Sequence, residues 1–111
     1  MTGASSGIGE AIALAFGEAG ADVAVNYVSK EDEAEAVVAR IRRAGRRALS
    51  HRADVSKEDE VRAMFRRVIA EFGTLDILVN NAGLQRDAPF DAMNLDEWQG
   101  VLAVNLPGQF L

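Results

Sequence analysis

Apolar residues recur at helical spacing in three segments of this chain, and each segment ends at a glycine. Spacings of three and four residues place such side chains on one face of a helix, which is the pattern of a helix packed against a core. Gly20, Gly45 and Gly73 are suited to end these helices, because glycine readily adopts left-handed backbone angles. The three predicted apolar faces are Ile8, Ile12, Ala15, Phe16 and Ala19; then Ala34, Val37, Val38 and Ile41; then Val61, Met64, Phe65, Val68, Ile69 and Phe72.

Short runs of strand-forming residues separate these helices. They predict strands at Asp22 to Tyr27, at Arg47 to Val55 and at Leu75 to Asn80. The last run is apolar on both faces, which is typical of a central strand in a parallel sheet. The alternation of strands and helices predicts an α/β fold with helices covering a parallel sheet.

Polar residues mark where the later helices begin. Ser29 with Asp32, and Ser56 with Asp59, have the spacing of a helix N-cap and its partner three residues on. A last helix is predicted to begin at Asn94 and Glu97; it carries Trp98, Val101, Leu102 and Asn105.

Composition narrows the functional classes. The 111 residues carry a net charge of -5 without a basic stripe, which argues against nucleic-acid binding. No apolar run is long enough to span a bilayer, so we expect no membrane partner. Cysteine is absent, in agreement with a cytoplasmic protein, and the sole histidine, His51, has no ligands at metal-binding spacing. Without a linker or repeat, residues 1–111 are predicted to belong to a single domain.

The segment from Thr2 to Gly9 carries the strongest chemical signal. Gly3, Gly7 and Gly9 leave room for an anion to approach backbone N–H groups where a helix begins, and Ser5 and Ser6 add hydroxyl donors. This arrangement indicates a dinucleotide pyrophosphate site. The alternative is a glycine-rich turn that only connects a strand tightly to a helix.

Four segments together resemble the short-chain dehydrogenase/reductase family. They are Thr2 to Gly9, the pair Asp54-Val55, Asn80-Asn81-Ala82-Gly83, and Val104-Asn105-Leu106 followed by Gly108. The resemblance covers the whole chain. It implies a Rossmann-type, doubly wound parallel sheet and an NAD(P)-dependent oxidoreductase that interconverts an alcohol and a carbonyl.

The resemblance also implies roles for individual residues. Asp54 would accept a hydrogen bond from the adenine amino group, although it could instead be an acid near the dipole of the next helix. Ile8 would contact the nicotinamide end, or be the first buried residue of its helix, or both. Asn80 is expected to tie neighbouring strands together. The remaining cofactor contacts would be Val55 beside the adenine ring, and Asn81, Ala82 and Gly83 near the ribose.

Cofactor choice depends on the end of the second strand of this fold. There an acid would bind the 2′-hydroxyl of NAD, but this chain reads Asn26-Tyr27-Val28-Ser29-Lys30. By the resemblance, Asn26, Tyr27 and Ser29 of this segment are expected to contact the cofactor. Ser29 and Lys30 could bind a 2′-phosphate, so NADP(H) is favoured and NAD(H) remains an alternative. Ser29 could equally be only a helix cap, and Lys30 only a solvated helix start.

Asn105 is the one residue that the resemblance marks as catalytic. In relatives, this asparagine bends its helix and holds a water of the proton relay. Pro107 departs from the family pattern, because proline locally breaks the helical hydrogen bonds. The family's catalytic serine, tyrosine and lysine have no counterpart here: Tyr27 is the only tyrosine, and neither Lys30 nor Lys57 completes a Tyr-x-x-x-Lys pattern.

We therefore expect a truncated Rossmann domain, without its first strand and C-terminal half, that is inactive alone. Within the family, the chain is most similar to glucose 1-dehydrogenases and 3-oxoacyl-carrier-protein reductases. The resemblance implies a small-molecule carbonyl or alcohol substrate and a homotetrameric full-length form. The competing hypothesis is a non-catalytic dinucleotide-binding or interaction module, or a nonfunctional truncated product.

Overall fold

The computed structural model describes residues 1–111 and confirms the alternation of helices and strands in the first two thirds of the chain. In chain order the elements are α1 (Gly7–Glu18), β1 (Val23–Tyr27), α2 (Glu31–Arg43), β2 (Ala48–Arg52), α3 (Glu58–Phe72), α4 (Leu95–Asn105) and α5 (Pro107–Phe110). Strands β1 and β2 pair in parallel with Val23 opposite Ala48 and Tyr27 opposite Arg52. Helix α2 connects them and packs on both.

The core forms where α1 and α2 cover β1. Val25, Val37, Val38 and Ile41 are the largest fully buried side chains. The predicted apolar face of α2 is therefore confirmed, since Ala34, Val37, Val38 and Ile41 are all buried. On α3, Val61, Met64 and Val68 are buried, whereas Ile69 is 45% exposed.

The predicted apolar face is only partly confirmed in α1. Ile12 and Phe16 are half-buried and Phe16 packs against the core, but the fully buried positions of this helix are different ones. Its buried residues are Gly9, Ala13 and Gly17, whereas Ile8 is 75% exposed. A Cβ atom on Gly17 would lie 3.1 Å from the Ile41 side chain. The helix thus packs through its smallest residues, because these let its backbone approach α2 closely.

The predicted strand from Leu75 to Asn80 is also wrong as an assignment. This segment forms no strand and makes one backbone-to-backbone hydrogen bond to the rest of the chain, from Thr2 N to Val79 O at 3.1 Å. On its other side Met1 pairs with β1, through Asn26 N to Met1 O at 3.1 Å. Residues 1–4 therefore lie between β1 and the 75–80 segment.

Helix boundaries follow the glycines better than the predicted serine caps. Gly20, Gly45 and Gly73 all have positive φ angles just beyond helix ends, as predicted. Lys30 and Lys57 occupy the N-cap positions of α2 and α3 without side-chain bonds, so the predicted caps at Ser29 and Ser56 are wrong. Asn94 and Glu97 do form a reciprocal capping box at α4.

Helix α4 buries none of its residues, and Trp98 is 55% exposed. None of the helices combines the length and apolar character needed to cross a lipid bilayer.

His51 on β2 is half-buried, and its Nδ1 atom has no hydrogen-bond partner. Burial first, and then the charge of Arg67, lowers the pKa of His51 below the ordinary value of 6.5. The unfolded chain therefore takes up a proton before the folded one does as the pH falls. Protonation favours unfolding, so this histidine reduces stability as the pH drops below about 6.5.

We expect His51→Leu to flatten the pH dependence of stability between pH 5.5 and 7.5. The measurement is the urea midpoint of unfolding of both proteins across that range. His51 is the only histidine; the N-terminal amine, whose pKa burial lowers from 8.0, is present in both proteins and does not contribute to the difference between them. If the urea midpoint of the variant changed with pH as steeply as that of the unaltered protein, the burial of His51 would not affect its titration.

Candidate functional site

The glycine-rich turn from Thr2 to Gly9 leads from the segment beside β1 directly into α1. Gly3 and Gly7 both have φ angles of +58°, a conformation that residues with side chains rarely adopt. A Cβ atom on Gly3 would come within 2.9 Å of Ala82 Cα, whereas one on Gly7 would meet nothing within 4 Å. Gly3 is therefore required by packing inside the protein, while Gly7 leaves open space in front of the turn.

Free backbone donors face this open turn at the start of α1. Ser6 is the N-cap but makes no capping hydrogen bond through its side chain. Glu10 N is the first helical donor and bonds to Ser6 O at 3.2 Å. The N–H groups of Gly7, Ile8 and Gly9 therefore have no acceptor in the helix, and the helix dipole adds partial positive charge there. This end of α1 has the features that bind an anionic group.

The side chains of the turn divide between two environments. Ser5 is buried at 9% exposure and Ser6 is half-buried. Ile8 projects into solvent, so its interpretation as the first buried residue of the helix is wrong. Its predicted contact with a nicotinamide ring remains a prediction.

Gly9 allows the closest approach in the site. A Cβ atom at this position would overlap Gly3 O and would lie 2.6 Å from Asn81 Nδ2. The first turn of α1 therefore packs directly on the backbone of the glycine-rich turn and on the Asn81 amide. No larger residue fits without moving one of these elements.

Thr2 and Asn81 join the turn to the segment that follows residue 80. Thr2 Oγ1 accepts hydrogen bonds from Asn81 N and Ala82 N, both at 3.0 Å. Asn81 Nδ2 donates to Thr2 O at 3.2 Å and to Gly3 O at 3.0 Å. The side-chain donor of Asn81, predicted to lie along the ribose, is thus engaged within the protein; Ala82 is half-buried, and Gly83 is exposed.

Asn80 makes a different contact from the predicted one. Its Nδ2 atom donates to Gln109 O at 3.3 Å and so reaches α5. The tie between neighbouring segments that was predicted for Asn80 is made by Asn81 instead.

Asn26 holds the turn to the ends of both strands. Its Oδ1 atom accepts from Gly3 N at 3.2 Å, and its Nδ2 atom donates to Ala53 O at 2.9 Å and to His51 O at 3.3 Å. The side chain is 3% exposed. The Asn26 amide is thus used to position the turn from beneath, and the predicted cofactor contact of Asn26 stays a prediction.

Tyr27 is also an internal residue rather than a surface one. It is 8% exposed and belongs to the core cluster with Val25 and Ala34. Ser29, two residues later, is exposed and free of hydrogen bonds, so it can contact a ligand. Ser29 therefore has an accessible side chain whereas Tyr27 does not, and Lys30, the other candidate for a 2′-phosphate contact, is exposed as well.

Asp54 is held in a defined orientation after β2. Its Oδ1 atom accepts from Ser56 N at 2.9 Å and from Ser56 Oγ at 2.7 Å, while its N–H donates to Glu60 Oε2 at 2.7 Å. The hydrogen bonds from Ser56, followed by the charges of Lys57 and Arg52, lower the pKa of Asp54 below 3.8. The carboxylate is therefore ionised at neutral pH, and its Oδ2 atom remains an acceptor without a partner in the chain. Sequence reasoning missed the role of Glu60, which carries no motif.

Val55 is buried at 4% exposure and packs against the break between α4 and α5. A Cβ atom on Gly108 would lie 2.9 Å from Val55 Cγ2. The Val55 side chain is thus part of the support for α5, and its predicted position beside the adenine ring stays a prediction.

Asn105 forms the last residue of α4 and binds the loop after Gly83. Its Oδ1 atom accepts from Leu84 N at 2.8 Å, and its Nδ2 atom donates to Leu84 O at 3.0 Å. Pro107 begins α5 directly after a break at Leu106, where φ is -115° and ψ is -72°. The predicted interruption of the helix is confirmed, and the Asn105 amide is used to fix the loop.

A cleft of about 280 Å³ lies at the opposite end of β1 from the turn, between Ala21, Phe72 and Ile77. None of the predicted site residues lines it. The predicted residues instead converge at the carboxyl ends of the strands, which is where ligands bind in open α/β sheets.

Comparison with known proteins shows the family to which this chain belongs. The family model described as short chain dehydrogenase matches residues 1–111, so the chain belongs to the short-chain dehydrogenase/reductase family of NAD(P)-dependent oxidoreductases. Its fold is accordingly the Rossmann-type α/β fold.

Particular relatives include 3-oxoacyl-acyl-carrier-protein reductases. FabG of Staphylococcus aureus is 47% identical over 110 residues, which are 99% of this chain and 45% of the relative. A short chain dehydrogenase from Burkholderia cenocepacia, solved in complex with NADP, has 45% identity and a TM-score of 0.95 over 98% of this chain and 44% of that one. A 3-ketoacyl-ACP reductase from Sinorhizobium meliloti has 42% identity and a TM-score of 0.93, covering 99% of this chain and 43% of its own. The chain thus spans less than half the length of these relatives.

Proposed function

We propose that residues 1–111 form one nucleotide-binding domain of an oxidoreductase that transfers hydride between NADP(H) and a small carbonyl or alcohol. The observation that carries this proposal is the open glycine-rich turn in front of unpaired N–H groups at α1. A Cβ atom at Gly7 would meet nothing within 4 Å, so the space in front of the turn is open. A Cβ atom at Gly3 or Gly9 would clash with neighbouring backbone atoms. These features suit a pyrophosphate in this turn.

The other residues predicted to bind the cofactor lie on either side of this turn. The ionised carboxylate of Asp54 has an oxygen available for the adenine amino group. Backbone at Asn81, Ala82 and Gly83 borders the other side, where the Asn105 bonds to Leu84 support the loop. The nicotinamide would supply or accept the hydride, and the residues named here would bind and orient it.

The proposed substrate class comes from the relatives. Their names point to a 3-oxoacyl carbonyl, while the glucose-type alcohol suggested by the sequence is the second candidate. We further propose a cytoplasmic protein whose functional form is a homo-oligomer, as the family resemblance implies.

A non-catalytic binding role for these 111 residues is the alternative. Its support is that the only tyrosine, Tyr27, is buried in the core and therefore unable to donate a proton to a substrate. For the same reason we propose that this polypeptide alone binds nucleotide without catalysing turnover.

The test is a titration of the 111-residue chain with NADPH and with NADH, followed by cofactor fluorescence. We expect both to bind and NADPH to bind more tightly, because the strand end lacks a carboxylate that would repel a 2′-phosphate. Absence of binding by either nucleotide would contradict the proposal. Tighter binding of NADH would contradict only the cofactor preference.

A further inference from the structure

Lys30, the cation in the segment after β1, has its charge partly neutralised by nearby carboxylates. Lys30 Nζ lies 3.5 Å from Glu33 Oε2 in an exposed pair within the first turn of α2. Glu31 and Asp32 add further negative charge to that turn. Lys30 is therefore a weaker candidate for attracting a phosphate than the sequence suggested.

A different cation lies beside the same segment. Arg52 ends β2 directly opposite Tyr27, and its Nε atom donates to Val28 O at 2.9 Å. Sequence spacing gave no sign of this contact, because Arg52 and Val28 are 24 positions apart. The guanidinium is thereby anchored at the strand end where the 2′ position of the ribose is expected.

The rest of this guanidinium is available. Its Nη1 and Nη2 atoms donate to no acceptor in the chain, and no carboxylate lies within ion-pair distance. A guanidinium presents several donors in a planar fork, which matches the oxygens of a phosphate better than an ammonium does. Arg52 thus has both a fixed position and free donors.

Arg52 lies between Tyr27, at the end of β1, and Asp54, after β2, and its charge acts on both. Burial first, and then the carboxylates of Glu31 and Glu35, raise the pKa of Tyr27, whereas the charge of Arg52 lowers it. Glu35 is hydrogen-bonded to Ser50 Oγ. The field of Arg52 also reaches Asp54 on the other side.

We propose that Arg52 recognises the 2′-phosphate of NADP(H) through its free Nη donors, with the exposed hydroxyl of Ser29 as a second contact. This inference rests on the proposed nucleotide site and names the residue that gives it its preference. Val28 contributes its carbonyl oxygen, which holds the arginine in place.

The experiment compares 2′,5′-ADP with 5′-AMP, two probes that differ only in the 2′-phosphate, by calorimetric titration of the 111-residue chain. Arg52→Gln is expected to weaken binding of 2′,5′-ADP by about tenfold or more, the usual effect of losing a charge-assisted hydrogen bond. Binding of 5′-AMP should change by less than about twofold. Lys30→Gln should have a smaller effect on 2′,5′-ADP than Arg52→Gln.

Arg43→Gln is the matched control. Arg43 is an exposed arginine at the other end of α2, so the variant has the same net charge without changing the strand end. It should leave the affinity for both probes unchanged, and circular dichroism should show the same helix content in all variants. An equal loss of 2′,5′-ADP binding in Arg43→Gln would indicate a general charge effect and overturn the assignment.

The two proposals fail in different ways. Should the unaltered chain bind neither probe, the nucleotide site is wrong and the role of Arg52 falls with it. Should it bind both while Arg52→Gln affects neither, or both equally, the nucleotide site stands and the role of Arg52 is overturned.

Discussion

Gly9→Ala is expected to disrupt the site more than any other single methyl addition. The new Cβ atom would overlap Gly3 O and approach Gly3 C to 2.9 Å, and both are backbone atoms that cannot rotate away. Either α1 or the glycine-rich turn must shift. We expect the free energy of unfolding to fall by about 3 kcal/mol or more, at the upper end of single-residue effects. Nucleotide affinity should be lost at the same time.

Chemical denaturation of both proteins measures this effect, and Gly100→Ala is its control. Gly100 also lies inside a helix, but a Cβ atom there would meet nothing within 4 Å. Alanine should stabilise that helix by about 0.5–1 kcal/mol, since glycine is a poor helix former. Similar stabilities for the two variants would show that Gly9 is not held against Gly3.

Thr2→Val is expected to have the second largest effect. Valine keeps the shape of the side chain but removes the oxygen that accepts from Asn81 N and Ala82 N. Thr2 is 6% exposed, so water cannot easily replace that acceptor. Leaving such donors unpaired costs about 2–4 kcal/mol of stability. The loop from Asn81 to Leu84 should also become more accessible to amide hydrogen exchange.

The matched control for this variant is Thr74→Val. Thr74 is exposed and its hydroxyl makes no hydrogen bond, so its replacement should alter the unfolding free energy by less than about 0.5 kcal/mol. Equal effects of the two valine variants would show that the Thr2 hydroxyl does not join the turn to the following loop.

Helices α2 and α3 illustrate what local pattern predicts well. Their buried residues repeat every three to four positions, and this periodicity depends only on helix geometry. Helix α1 packs through its small residues instead. Its large apolar residues look like a core face in the sequence, yet Gly9, Ala13 and Gly17 are the buried ones. Gly9 packs on Gly3, six positions earlier, and Gly17 packs on Ile41, which lies 24 positions later in the chain.

In the candidate site, too, the sequence predicted some features and only the tertiary structure decided others. The glycine-rich turn was predicted as an anion site from its spacing, and the structure gives it open space and unpaired amides. For Asn26 and Asn81, the motif suggested ligand contacts, but their side chains bond to the turn itself. An amide side chain has the same donors for either partner, so sequence alone could not distinguish them.

The sequence by itself determined the family, from four segments in the right order, and the order of the elements up to α3. It also determined the glycines of the turn and the interruption of the last helix at Pro107, because both depend on short-range geometry. Tertiary structure decided which amides face inward, that the 75–80 segment pairs through a single backbone bond, and that Arg52 lies against Val28. These features depend on contacts between residues more than 20 positions apart, whose distances follow only from how the chain packs.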